Sequence, residues 1–148
     1  MKMPEYITTK EVRRVCRELK IRDWTKLKKA EVTMHEARTI YNTLRARAMG
    51  AELDQFKKGL EVELEHGLLL GDTNVTNNHP ILTGKIVLAH FKESLDYYRR
   101  LEVAELEGDL LKAIHRNDAK KARNYYRRIA EARMTLSKAE AKKLSKER

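Results

Sequence analysis

The sequence has little of what cross-links a chain, breaks its helices or anchors it in a membrane. Its 148 residues include one cysteine, two prolines and six glycines, and aromatic residues make up 6%. The lone Cys16 excludes an internal disulfide and a cysteine-rich zinc site, and its apolar neighbours at helical spacing predict a buried thiol. No apolar run approaches the ~20 residues of a membrane-spanning helix, and the first residues lack a signal-peptide core. We therefore expect a soluble, intracellular protein.

Charge, by contrast, is plentiful and unevenly distributed, with a formal net charge of +10 at pH 7. Residues 1–50 carry 13 Lys and Arg against 6 Asp and Glu, residues 51–107 carry 6 against 11, and residues 108–148 carry 13 against 5. The middle of the chain is acidic and both ends are basic. Basic ends indicate a polyanionic partner, nucleic acid or an acidic protein assembly, with a purely solvated surface as the alternative.

Two predicted helical segments each carry a glutamate and a histidine three residues apart. Glu63 and His66 lie in the first segment, and His90 and Glu93 lie in the second in the opposite order. Side chains at i and i+3 share one face of a helix, so each helix presents a pair of candidate ligands. A short connection favours antiparallel packing, which would let the two pairs face each other. We call these four residues the Glu/His cluster.

Two chemical interpretations of the Glu/His cluster are open. Its imidazoles and carboxylates could bind one divalent metal ion, such as Zn, Fe or Mn. Alternatively, His66 with Glu93 and His90 with Glu63 would form buried ion pairs that fix the register of the two helices. Catalysis would need the metal or a His/Glu acid–base pair, because the chain has no nucleophile elbow, P-loop or dinucleotide motif. The sequence thus favours a non-enzymatic protein and leaves an enzyme open.

Helix start signals and apolar spacing predict an all-α bundle of five or six helices. Thr8 with Glu11, and Thr33 with Glu36, each form a Thr-x-x-Glu capping box, which places helix starts near residues 9 and 34. Trp24 lies in the connection between these helices and is predicted to plug it, an exposed binding tryptophan being the alternative.

The later helices are predicted at residues 52–70 and 83–107, and Gly108 is expected to end the second of them. A helical hairpin follows, with Asp118 as N-cap of its second helix, and Ser137 is expected to cap a last short polar helix. The predicted domains are a helical bundle with the paired Glu/His motifs over residues 1–107 and a basic C-terminal helical hairpin and tail over residues 108–148.

The second helix of this hairpin surrounds two adjacent tyrosines with positive charge. Lysine and arginine neutralise phosphates, and a tyrosine ring can stack on an unpaired base. Tyr125 is expected in the core, which leaves Tyr126 as the freer ring. The predicted nucleic-acid-binding residues are Lys120, Lys121, Arg123, Tyr126, Arg127 and Arg128.

Two motifs resemble those of an uncharacterised family of small bacterial, archaeal and phage helical proteins. Residues 62–67 read VELEHG, and residues 84–101 read GKIVLAHFKESLDYYRRL. They match the family's VELEHG and GKIxLAHxxExxDYYxxL elements, and the likeness covers about residues 32–105. The resemblance implies relatedness and a helical fold, and it implies no activity. A proline often precedes the family's DYY; Leu95 stands there in this chain, which predicts an uninterrupted helix.

Together these observations predict a non-enzymatic binding or assembly protein. Its basic ends would dock on nucleic acid or on an acidic macromolecular assembly, such as a virion or another nucleoprotein assembly, with the Glu/His cluster as a central clasp. The alternative is a small metal-dependent enzyme or metal-binding protein with the Glu/His cluster as ligands. We expect no membrane partner, a location in the cytoplasm or within a phage particle, and leave homo-oligomerisation open.

Overall fold

A computed structural model describes residues 7–146, and over that range it contains six α-helices and no β-strand. The predicted all-α fold is confirmed. None of the helices within the described range is both long and apolar enough to cross a membrane. The helices are α1 (Thr9–Glu18), α2 (Met34–Thr43), α3 (Leu53–Leu69), α4 (Pro80–Glu93), α5 (Tyr97–His115) and α6 (Ala119–Lys146).

The chain divides into two compact units, which we call unit 1 (Met1–Leu95) and unit 2 (Asp96–Arg148). The predicted helix over residues 83–107 is wrong, because α4 ends at Glu93 and α5 begins at Tyr97. Ser94 lies between them in an extended conformation, with φ −160° and ψ 131°. Serine competes with the helix by hydrogen bonding to nearby backbone, so it favours helix ends over helix interiors. The division of the chain into domains at residue 107 stays a prediction.

Helices α1 and α2 of unit 1 begin where their capping residues predict. Thr33 and Glu36 form a complete capping box, in which each side chain accepts from the other residue's backbone N–H. Thr8 accepts from the backbone N–H of Glu11 at 3.2 Å, but the carboxylate of Glu11 binds Arg14 instead of reaching back. The second box is therefore whole and the first is half formed.

The core of unit 1 lies among α1 to α4 and the connection before α2. Trp24 is completely buried, which confirms that it plugs this connection, and Cys16 is buried as predicted. Tyr41 packs edge-on against Phe56 with ring centroids 5.5 Å apart, and its hydroxyl donates to the backbone oxygen of Ala51. Fully buried apolar residues of this core include Val12, Ile40, Phe56, Leu60, Leu64 and Val87.

Unit 2 is an antiparallel hairpin of α5 and α6. Asn117 turns the chain with φ +54°, a conformation that asparagine tolerates, and Asp118 accepts from the backbone N–H of Lys121 at 3.0 Å. This confirms Asp118 as the N-cap of α6.

Two predicted helix boundaries in unit 2 are wrong, because α5 passes through Gly108 and α6 continues through Ser137. Residues 119–146 contain no glycine or proline that would stop a helix. One serine is too weak a signal against continued helix propagation, which adds a hydrogen bond with each residue.

Candidate functional site

The Glu/His cluster includes a contact between α3 and α4, that of Glu63 with His90. His90 Nε2 lies 3.4 Å from Glu63 Oε1, and His66 Nδ1 lies 3.7 Å from the other carboxylate oxygen, Glu63 Oε2. His90 Nδ1 in turn lies 3.9 Å from Glu93 Oε1 on its own helix. The four side chains therefore form a row, His66–Glu63–His90–Glu93, with the Glu63 carboxylate between the two imidazoles.

Only the middle of this row is sheltered from solvent. The side chain of Glu63 is 11% exposed and that of His90 is 26% exposed, whereas His66 and Glu93 are 58% and 68% exposed. The predicted contact of His90 with Glu63 is present. The predicted buried pair of His66 with Glu93 is wrong, because each of these residues contacts a partner on its own helix. The i, i+3 geometry that suggested two facing pairs also lets each pair close locally.

Two glycines let the elements around the cluster approach closely. A Cβ built on Gly84 would lie 2.6 Å from Leu44 Cδ1 and 2.9 Å from Ile40 Cγ2, so a larger residue would force these side chains to shift. A Cβ on Gly67 would lie 1.9 Å from Asn78 Oδ1. Asn74 donates there to both the Gly67 carbonyl and Asn78 Oδ1, at 3.0 and 3.1 Å, and so closes the loop onto the end of α3.

Metal ligation at the cluster has limited geometric support. Within the part of the chain that the structure describes, no group of three or more His, Cys, Asp and Glu side chains is arranged to hold a metal ion. His79, in the loop before α4, is the N-cap of that helix, where its Nδ1 accepts from the backbone N–H of Leu82 at 3.3 Å. Metal binding by Glu63, His66, His90 and Glu93 stays a prediction.

The predicted nucleic-acid-binding residues all lie on α6, and all are exposed. Tyr126 is 70% exposed, as expected of the freer ring, while Tyr125 is half-buried, so its predicted place in the core is wrong. Lys120, Arg123 and Arg127 follow one another at spacings of three and four residues, so they share one face of the helix. Lys121 pairs with Asp118 at 3.5 Å, and the guanidinium of Arg128 lies 5.9 Å from the centroid of the Tyr125 ring.

A buried carboxylate in unit 1 is the polar feature that the sequence did not reveal. Glu36 is 1% exposed and receives two hydrogen bonds from Arg22, at 2.9 and 2.7 Å, and one from Trp24 Nε1 at 3.2 Å. Burial by itself raises the pKa of Glu36, but the hydrogen bonds from Arg22, Thr33 and Trp24 outweigh it and lower the pKa to about 2. A buried tryptophan needs a partner for its N–H, and the search for that partner could have identified Glu36.

Unit 2 contains a second buried carboxylate, Asp96, at the start of α5. Asp96 is 1% exposed and pairs with Arg100 and with Lys143, each at 3.2 Å. Arg100 also reaches Glu140 at 2.6 Å, so two carboxylates and two cations tie the far end of α6 to the beginning of α5. These partners are distant in sequence, and no local pattern pointed to them.

A protein-family model described as a protein of unknown function (DUF5661) matches residues 12–107. The chain belongs to the DUF5661 family. A search of curated proteins and a search of solved structures gave no significant match. The DUF5661 match confirms that the chain belongs to an uncharacterised family, while the two sequence motifs and the bacterial, archaeal and phage range stay predictions.

The two candidate surfaces differ in their relation to DUF5661. The Glu/His cluster lies inside the matched range, together with the glycines that position α3 and α4. The match ends at residue 107 within α5, so α6 and its exposed cations lie outside it. The match thus spans most of unit 1 and the first part of unit 2, whereas residues 7–11, the end of α5 and all of α6 are described but lie outside it.

Proposed function

We propose that the protein binds nucleic acid through one face of α6, which we call the cationic face: Lys120, Arg123 and Arg127, with Tyr126 beside them. The observation that carries the proposal is the exposure of these four side chains at helical spacing on one element. Within residues 7–146, none of the three cations takes part in an ion pair. Their charges are therefore not neutralised within the hairpin and are available to an anionic partner.

The spacing of these cations suits a row of phosphates. A helix rises 1.5 Å per residue, so Lys120 and Arg127 lie roughly 10 Å apart along the axis. Lys138 and Lys142 extend the basic surface along α6, interrupted by Glu131. Lysine and arginine on phosphates supply affinity without reading sequence, so we expect binding that is largely independent of sequence.

Tyr126 favours nucleic acid over an acidic protein as the partner. Its ring is 70% exposed one turn of α6 after Arg123, where it can stack on a base while the cations hold the backbone. An acidic protein surface would use the charges but would have no particular need for a solvated ring at this position. Single-stranded nucleic acid, whose bases are accessible, is therefore the preferred form.

Charge reversal tests the cationic face with a matched control. The variant Lys120→Glu, Arg123→Glu, Arg127→Glu is compared with Lys58→Glu, Lys85→Glu, Lys92→Glu, which makes the same change in net charge at exposed lysines of unit 1. Fluorescence anisotropy with a labelled single strand is expected to show loss of binding in the first variant only. For three phosphate contacts, log K against log salt concentration should fall with a slope of about −2 for a single strand.

The role of the ring is tested separately with Tyr126→Ala. Loss of one stacked base should weaken single-strand binding by roughly 1–3 kcal/mol, with a smaller effect on a duplex. Equal weakening by both charge-reversal variants would show that only overall charge matters and would refute the cationic face as the site. Absence of binding to any nucleic acid would leave an acidic protein assembly as the partner.

Metal binding at the Glu/His cluster is the second candidate function. It is favoured by the Glu63 carboxylate, which lies within 3.7 Å of an imidazole on each side. Metal analysis of protein purified without an affinity tag is expected to show one Zn, Fe or Mn ion for each chain, lost in a folded His90→Ala variant. Metal-free protein that takes up none of these ions when they are added would eliminate this candidate.

A nucleic-acid-binding role fits a cytoplasmic protein or a component of a phage nucleoprotein particle. We propose both locations together with the binding function. The first measurement to make is the salt dependence of nucleic-acid binding.

A further inference from the structure

A basic groove of about 380 Å³ lies along α1 in unit 1, and its lining includes no residue of the Glu/His cluster. Lys10, Arg13 and Arg17 repeat at three- and four-residue spacing along α1, so their side chains line one side of the groove. Cys16, Ile21 and Asp23 complete its lining. The volume falls within the range of pockets that take small molecules.

The charged side chains of the groove leave an excess of two positive charges. Asp23 is already engaged, because its carboxylate accepts from the hydroxyl and the backbone N–H of Thr25, at 2.6 and 3.1 Å. Arg13 is held in place by Asp23 at 3.6 Å and by the hydroxyl of Thr25 at 3.3 Å. In the described part of the chain, Lys10 and Arg17 form no ion pair, so both cations remain available to a ligand.

The remaining surface of the groove is apolar and chemically inert. Cys16 is 1% exposed, and burial raises the pKa of its thiol, which keeps the sulfur neutral and unreactive. Ile21 is half-buried beside it. A bound molecule would therefore meet cations on one side and a small apolar patch on the other.

We infer that this groove binds a phosphomonoester whose phosphate lies among Lys10, Arg13 and Arg17 and whose compact apolar or ring-shaped body lies against Ile21. A phosphomonoester carries close to two negative charges at neutral pH, which matches the two excess positive charges of the groove. Arginine presents paired N–H donors to phosphate oxygens, and lysine adds a point charge. The inference concerns a different surface from the cationic face and does not depend on it.

The test follows backbone amide chemical shifts of the full-length protein during titration with phenyl phosphate. We expect saturable shifts at Lys10, Arg13, Arg17 and Ile21. The double variant Lys10→Gln, Arg17→Gln should weaken binding at least about tenfold, as expected for the loss of two charge-assisted contacts. The control Lys58→Gln, Lys92→Gln, which changes the net charge equally, should leave the affinity unchanged. The variant Ile21→Ala should weaken phenyl phosphate binding but not binding of inorganic phosphate.

Two kinds of phosphomonoester are then compared, a free small molecule and the terminal phosphate of a strand. Oligonucleotides with and without a 5′-phosphate are added to the variant Lys120→Glu, Arg123→Glu, Arg127→Glu, which removes the cationic face. Shifts at α1 that need the 5′-phosphate would identify a strand end as the source, and shifts with phenyl phosphate alone would identify a small molecule. No saturable shift with either probe, or equal weakening by the Lys58/Lys92 control, would overturn the inference.

Discussion

Unit 1 and unit 2 bury different amounts of apolar surface and use charge differently. Unit 1 encloses Trp24, Phe56 and several aliphatic side chains completely, and its buried carboxylate Glu36 is surrounded by donors. The buried apolar residues in the described part of unit 2 are Tyr98, Leu106, Ala113 and Ile129. Its two helices are also joined by surface ion pairs, Arg133 with Glu107 and Arg100 with Glu140, in addition to the buried Asp96 with its cations.

This difference indicates how one chain can combine a stable scaffold with a charged surface. Surface ion pairs contribute little to stability, so unit 2 gains less from its charges than unit 1 gains from its packed core. The same exposure leaves the cations of α6 accessible to a partner. We therefore expect mutations to affect unit 1 mainly through packing and protonation, and unit 2 mainly through binding.

The largest effect is expected from a cavity in the core of unit 1. Leu64→Ala in α3 should lower the free energy of unfolding by roughly 4 kcal/mol, because Leu64 is completely buried and its truncation leaves a cavity in the core. Leu106→Ala in α5 should lower the free energy of unfolding by only roughly 2 kcal/mol, since a two-helix hairpin relaxes more easily around the cavity. Native-state hydrogen exchange, which reports on each helix, would measure both losses; equal losses would contradict the contrast between the units.

The next largest effect is expected when the pH is lowered. The pKa of Glu36 is lowered to about 2 from an ordinary value near 4.5, so its stabilising contribution is complete above pH 4.5 and is lost as the pH falls towards 2. The full contribution is about 3 kcal/mol. Glu36→Gln should remove most of this contribution at pH 7. At pH 3 the wild type has itself lost part of it, so the difference in unfolding free energy between wild type and variant, measured by urea unfolding, should be smaller.

The control for this prediction is Glu31→Gln. Glu31 is exposed and pairs with Lys29 at 3.8 Å on the surface, so its replacement should change stability by less than about 0.5 kcal/mol at either pH. A pH dependence in Glu36→Gln that equals the wild-type dependence would show that Glu36 does not cause the acid sensitivity.

A smaller loss is expected where α3 meets the loop that follows it. Gly67→Ala brings a methyl group to 1.9 Å from Asn78 Oδ1, so Asn78 must move and the hydrogen bond from Asn74 must break. Alanine's higher helix propensity offsets part of this cost, which leaves a net loss of roughly 1 kcal/mol. Thermal unfolding would measure it, and a variant as stable as wild type would show that the loop relaxes freely.

The sequence predicted the parts of the structure that local chemistry controls. Thr8 and Thr33 located the starts of two helices, the spacing of apolar residues located α3, and Trp24 was correctly placed in the core. The contact of His90 with Glu63 also followed, because short connections place successive helices side by side.

The sequence did not predict the features that depend on contacts between residues far apart in the chain. The donors to Glu36 and Asp96 come from separate elements, so neither buried carboxylate has a local signature. The pairing of His66 with Glu93 was wrong because local i, i+3 contacts compete with interhelical ones, and nothing in the spacing decides between them. Helix ends are hard to predict for a related reason: Gly108 is a helix-breaking signal, but Leu106 and Ala113, buried on either side of it, keep α5 continuous.

Gly108 provides the smallest expected effect and the one of opposite sign. No atom lies within 4 Å of a Cβ built on Gly108, and the residue lies inside α5, where glycine is the less favourable choice. Gly108→Ala should therefore raise the stability of unit 2 by up to about 1 kcal/mol, the difference in helix propensity. Slower hydrogen exchange of the α5 amides would measure the gain. A loss of stability would instead mean that the chain turns at Gly108. Compared with each other, Gly67→Ala and Gly108→Ala distinguish a glycine that is needed for space from one that is not.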